Sequence, residues 1–165
     1  LGDIGLQYTF NDVYSEAATR IENGTALFIT TGQVPQASLS ISNVNLENGI
    51  LDIYINNVEN IAGFQFELFG ITLTDANGGL AESNDFLVST SSTSVLGFSI
   101  TGTFIPAAAG ILTQVSFTDY TGEICFGSDP VNNVISNVFG NLLQSEWGDC
   151  FLEGTLPVDL NFDGS

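Results

Sequence analysis

Apolar and polar residues alternate along this chain in short runs that recur about every ten residues, with turn-forming residues between them. That pattern constrains the fold more than any other feature. Successive side chains of an extended strand point to opposite faces, so alternation buries one face and wets the other. The clearest run is Phe64-Gln65-Phe66-Glu67-Leu68, in which Phe64, Phe66 and Leu68 share a face. Leu39 with Ile41, Leu51 with Ile53 and Ile55, Phe98 with Ile100, and Val115 with Phe117 repeat it, and these residues form the predicted core. Asn48-Gly49, Asp75-Ala76-Asn77-Gly78-Gly79 and Gly127-Ser128-Asp129-Pro130 are predicted reversals. Helical periodicity is scarce and no repeat of about 20 to 50 residues stands out. The expected class is all-β, a sandwich or barrel.

The 165 residues suit one domain with a substantial core. A composition that is 44% hydrophobic and only 12% charged is neither that of a disordered acidic chain nor that of a membrane span. The leading segment reads differently from the rest. Leu6 to Phe10 and Ala26 to Thr30 are expected short strands, Asn11 to Glu22 a loop or one helical turn, and Thr31-Gly32-Gln33-Val34-Pro35 a linker. The expected organisation is an N-terminal arm or extra edge strands over residues 1–36, a sandwich over 37–156 and a tail over 157–165. The arm has two readings: a pair of edge strands in its own sandwich, or a segment that pairs with the sheet of a neighbouring copy.

Charge narrows the partners. There are 19 acidic residues against one basic residue, Arg20, for a formal net charge of −18. Neutralising phosphates takes a cluster of Lys and Arg, so nucleic acid and anionic membrane surfaces are excluded as partners. The same repulsion keeps copies apart unless divalent cations or high ionic strength screen it. The chain opens at Leu1 without Met and carries no signal peptide, transmembrane stretch or lipidation motif, as expected of a processed product.

Cys125 and Cys150 have no His and no third Cys to complete a zinc site. A disulfide is expected, the alternative being two buried free thiols, and a disulfide implies an oxidising compartment. Asn23-Gly24-Thr25 is a glycosylation sequon, which makes Asn23 the candidate acceptor outside a cell.

At the C-terminus, Asp159-Leu160-Asn161-Phe162-Asp163-Gly164-Ser165 matches the opening of an EF-hand-type loop. Oxygens at positions one, three and five converge on Ca²⁺, glycine at six permits the sharp turn and position seven adds a carbonyl. Those roles fall to Asp159, Asn161, Asp163, Gly164 and Ser165, so Ca²⁺ is the expected cofactor. Ligands for positions nine and twelve must come from residues beyond this sequence, from elsewhere in the fold or from a neighbouring copy. The alternative is an acidic tail without metal.

From about Ala37 to Leu152 the chain resembles the cohesin-like family of bacterial extracellular modules. Three stretches carry the resemblance: Asn48-Gly49-Ile50-Leu51-Asp52-Ile53-Tyr54-Ile55, Ile61-Ala62-Gly63-Phe64-Gln65-Phe66-Glu67-Leu68 and Gly110-Ile111-Leu112-Thr113-Gln114-Val115-Ser116-Phe117. The resemblance implies a jelly-roll, immunoglobulin-like β-sandwich, secreted or at the cell surface, used for protein–protein contact. Cohesins bind dockerins, and residues 159–165 are similar to the start of a dockerin calcium repeat.

Catalysis is disfavoured. With no His, no Lys and one Arg, the usual general bases, Schiff-base amines and oxyanion clamps are nearly all missing, and neither cysteine has a His to activate it. A carbohydrate-binding module is a rival, with Trp147 or the tyrosines Tyr8, Tyr14, Tyr54 and Tyr120 stacking on sugar rings. The other reading of Trp147 is that it packs beside the disulfide. The expected function is therefore a non-catalytic extracellular structural or adhesion module, a filament or surface-layer subunit that self-assembles with calcium-assisted contacts. A dockerin receptor, a carbohydrate-binding module and a virion surface protein are the alternatives. Far-ultraviolet circular dichroism should give a single β-type minimum, and a helical double minimum would refute this reading.

Overall fold

The computed structural model describes residues 20–22, 25–27 and 34–154. The chain divides into two compact units, Leu1–Val34 and Pro35–Ser165. In the first, β1 (Arg20–Glu22) pairs antiparallel with β2 (Thr25–Leu27), Arg20 opposite Leu27. Residues 20–22 were expected to end a loop or helical turn. They are extended because the pairing with β2 supplies cross-strand hydrogen bonds that local composition does not report. The expected strand over residues 26–30 is described only as far as Leu27, and the one over residues 6–10 lies outside the described residues.

The second unit is a two-sheet sandwich built from β3 (Ala37–Asn45), β4 (Ile50–Asn57), β5 (Ile61–Phe69), β6 (Thr72–Asn77), α1 (Gly79–Ser83), β7 (Leu87–Thr90), β8 (Ser94–Phe98), β9 (Ala108–Thr118), β10 (Glu123–Phe126), β11 (Val134–Asn137), β12 (Ser145–Trp147) and β13 (Phe151–Leu152). One sheet runs β12-β3-β4-β9-β6, antiparallel throughout except that β12 lies parallel to β3. The other is organised around β5. On one side β5 pairs with β8, and β8 with β7. Along its other side two strands follow one another: β10 pairs at Leu68 and Phe69, and β11 pairs from Gln65 to Ile61. Strand β13 extends that sheet beyond β10.

The core lies between the sheets. Ala37, Leu39, Leu51, Ile53, Ile55, Leu73, Leu112, Val115 and Phe117 come from one side, and Ile61, Phe64, Phe66, Leu68, Val95, Ile124 and Ile135 from the other. Most of the expected core is here, with Ile41 half-buried against it. Three local shifts in register move residues that plain alternation would misplace. In β9, Ile53 lies opposite Thr113 but Tyr54 lies opposite Ile111, so Leu112 and Thr113 are both buried at the bulge. The Thr113 hydroxyl donates to the Asn77 carbonyl at 3.1 Å, which satisfies a polar group in an apolar place. Similar irregularities separate Ile61 from Phe64 in β5 and Leu73 from Ala76 in β6.

Two expectations are corrected. Phe98 and Ile100 are not the inward residues of their strand: Val95 and Gly97 are, while Phe98 is half-buried and Ile100, past the end of β8, is 73% exposed. The cause is Phe64. A Cβ on Gly97 would collide with the Phe64 ring, so the ring fills the space a side chain at 97 would take, and a glycine hides the inward phase of β8. The second correction concerns the reversal expected over Asp75 to Gly79. Residues 75–77 continue β6, with Ala76 buried opposite Val115, and the chain turns only at Gly78 and Gly79 into α1. The Asn48-Gly49 reversal is present: Gly49 has φ 67° and donates to the Asn45 carbonyl at 2.9 Å. The stretch Gly127 to Pro130 begins the connection from β10 to β11.

Gly97→Ala should cost about 1–3 kcal/mol in urea denaturation through overpacking. Combined with Phe64→Leu, it should cost less than the sum of the two single changes. Strict additivity would show that the two positions do not share this space.

Candidate functional site

Cys125 and Cys150 are bonded, with S–S 2.08 Å and Cα atoms 4.3 Å apart. Cys125 sits on β10 opposite Phe69, and Cys150 immediately precedes β13, so the bond clasps the last strand onto its sheet. Glu123 lies beside the pair, the only grouping of three potential metal ligands among the described residues. Both sulfurs are committed to each other, so it is no thiolate site. Asp159, Asn161, Asp163 and Ser165, as well as Asn23, lie outside the described residues.

Trp147 is half-buried on β12 and belongs to an aromatic cluster. Its ring centre is 5.3 Å from that of Phe126 and 6.5 Å from that of Phe66, and Phe66 and Phe126 meet edge to face at 5.8 Å. The cluster joins β12 of one sheet to β5 and β10 of the other. Trp147 also borders a depression of about 310 Å³ with Pro130, Asn133, Leu142 and Leu143. The described tyrosines are elsewhere. Tyr54 is on the outer face of the five-stranded sheet, while Tyr120 packs on Phe151 at 6.2 Å and accepts the Glu153 N–H at 3.1 Å. The fold therefore does not gather Trp147, Tyr54 and Tyr120 into one stacking platform.

The outer faces of the two sheets differ sharply in chemistry. On the five-stranded sheet, Ser38, Ser40 and Ser42 of β3, Asp52, Tyr54 and Asn56 of β4, and Gln114 and Ser116 of β9 point outward. Asp52 ties three strands together there, accepting from Asn43 Nδ2 at 2.9 Å and from Gln114 Nε2 at 3.2 Å. The other sheet turns Leu87, Leu96, Phe98 and Val134 outward, among Ser89, Ser94, Gln65, Glu67 and Ser136. Leu87 lies opposite Phe98, and Leu96 opposite Gln65, which in turn lies opposite Val134. Leu87 is 51% exposed and Leu96 39%. Gly63 and Ser136 continue the row of Leu87 and Phe98 across β5 and β11 with small side chains. Leu87, Phe98 and Leu96 adjoin across the β7–β8 pair, and exposed apolar residues gathered in this way are a candidate interaction site. Sequence reading missed it because the same alternation that names the inner face leaves the outer face to be read as solvent. Leu87 and Leu96, nine positions apart, become neighbours only through strand pairing.

No family model matches the chain, and no curated protein sequence matches it either. Solved structures do. A chain of the CaDoc0917–CaCohA2 complex aligns with TM-score 0.50 at 15% identity, over 68% of this chain and 94% of that one. A non-cellulosomal cohesin from the hyperthermophilic archaeon Archaeoglobus fulgidus aligns with TM-score 0.50 at 14% identity, over 68% and 86%. The sixth cohesin of scaffoldin B from Acetivibrio cellulolyticus, solved in complex with Cel5 dockerin, aligns with TM-score 0.50 at 12% identity, over 68% and 94%. The fold is that of a cohesin-like all-β sandwich. No helix among the described residues is long and apolar enough to cross a membrane.

Replacing both Cys125 and Cys150 with Ser should lower unfolding free energy by about 3 kcal/mol. Wild-type protein in reductant should fall to the same value in chemical denaturation. An unchanged midpoint would mean that the clasp contributes nothing to the sandwich.

Proposed function

We propose that this chain is a non-catalytic protein-docking module of an extracellular assembly, and that it receives its partner on the outer face of β7, β8, β5 and β11. The observation that carries the reading is the contrast between the two outer faces: one mostly polar and cross-linked by Asp52 with Tyr54 as its one large side chain, the other presenting Leu87, Leu96, Phe98 and Val134 among Ser89, Gln65 and Ser136. Apolar residues left uncovered on a regular sheet offer a partner burial worth about 25 cal/mol per Å², without any need for the receptor to rearrange. A cohesin of the same fold is solved with a dockerin on it, which makes a dockerin-type module the first candidate partner. The Cys125–Cys150 bond supports an oxidising, extracellular setting. The absence of His and Lys from the 165 residues supports recognition rather than turnover.

A second reading is self-assembly into a filament or surface layer. It is favoured by the separate strand-forming unit that precedes the sandwich, where β1 pairs with β2. In this reading Asp159, Asn161, Asp163 and Ser165 bind Ca²⁺ with ligands completed from a neighbour, and the ion offsets part of the −18 charge that opposes packing.

Calorimetric titration against a panel of isolated dockerin modules should show one-to-one binding with at least one of them. Leu87→Gln with Leu96→Gln should weaken it at least about tenfold, while Tyr54→Gln on the opposite sheet leaves it unchanged. The reverse pattern, or no binding to any of them, would sink the docking reading. Size-exclusion chromatography and electron microscopy in calcium and then in chelator decide the second reading, since a monomer under both conditions rules out calcium-assisted assembly.

A further inference from the structure

We infer that the partner of the β7–β8–β5–β11 face is basic: a protein surface with an apolar ridge flanked by Lys and Arg. The inference rests on the docking reading and adds the chemistry of the occupant. Residues 34–154 contain no Lys, Arg or His; the one basic residue, Arg20, precedes the sandwich. No carboxylate within that stretch therefore has a cation of its own stretch to pair with.

Several of those carboxylates border the apolar face. Asp85 is exposed two residues before Leu87, where β7 begins. Glu67 points outward from β5 beyond Gln65, with Oε1 accepting Asn133 Nδ2 at 3.3 Å. Asp129 is exposed on the loop that leads into β11. The apolar rows of Leu87, Leu96, Phe98 and Val134 thus have negative charge ahead of β7 and again beyond the row of Leu96.

At physiological ionic strength charges interact over about 8 Å, so these border groups, rather than the net charge of the whole chain, decide what approaches. A partner with acids at its rim meets like charge at close range, and one with bases meets complementary charge that speeds encounter and sets register. A second copy of the sandwich brings the same acids and no base, so charge opposes use of this face as a seam between two copies.

The test uses two synthetic amphipathic helical peptides with the same leucine stripe, flanked in one by Arg and in the other by Glu, titrated into the full chain at low and at physiological ionic strength. The Arg peptide should bind at least about tenfold more tightly than its twin, and its affinity should fall as salt rises. Asp85→Asn with Glu67→Gln and Asp129→Asn should erase most of that preference. Leu87→Gln with Leu96→Gln, which changes no charge, should weaken binding of the Arg peptide. If both peptides bind wild type equally and both are lost on Leu87→Gln with Leu96→Gln, the docking face stands and the basic partner is wrong. If the Arg peptide binds that variant as tightly as wild type, or does not bind wild type at all, the inference is overturned.

Discussion

The structure depends on one packing arrangement, the insertion of the β5 aromatics between two sheets. Phe64 fills the space that Gly97 leaves open on β8, stacking at ring-centre distances of 6.0 Å on Phe66 and 6.1 Å on Phe86. Phe66, two residues on and fully buried, meets Phe126 and Trp147. Aromatic side chains bury more surface per residue than aliphatic ones, so one central strand can anchor much of the core. Because β5 also pairs with β8 on one side and with β10 and β11 on the other, displacing it would separate neighbours on both sides.

With the core secured by apolar contact, the polar residues have little structural work. The outward residues of the five-stranded sheet are mostly serines, asparagine, glutamine and one cross-linking aspartate, with Tyr54 the one large side chain among them. The opposite sheet departs from that pattern at Leu87, Leu96, Phe98 and Val134. Such exposed apolar residues bury nothing within the sandwich itself, and a docking partner is what the proposed function offers to account for them. The disulfide fits the same division of labour. It clasps a two-residue strand, β13, which is too short to hold its edge position by hydrogen bonds alone.

Much of the interior was legible in advance. Leu39, Leu51, Ile53, Ile55, Phe64, Phe66, Leu68, Val115 and Phe117 are inward, as alternation requires, and Asn48-Gly49 turns the chain. What was hidden has specific causes. Leu112 joins the core through a bulge, and bulges have no compositional signature. Gly97 occupies an inward position while carrying no apolar atoms, so the β8 phase was read from Phe98 and Ile100 instead. Asp75 and Asn77 are turn formers by propensity, yet they serve as outward residues of an edge strand because β9 is available to pair with them. Of the expected site residues, the two cysteines are brought together and Trp147 is committed to the aromatic cluster.

The sequence by itself determined the class and the character of the surface. Period-two alternation leaves a strand one way to bury its apolar side, and a single basic residue in 165 leaves the exterior anionic whatever the topology. Only the tertiary structure decided which strands became neighbours. Gln65 and Val134 are remote along the chain and adjacent across the sheet, and Leu87 meets Phe98 because β7 and β8 pair. The face proposed for docking is a property of adjacency, which strand pairing creates.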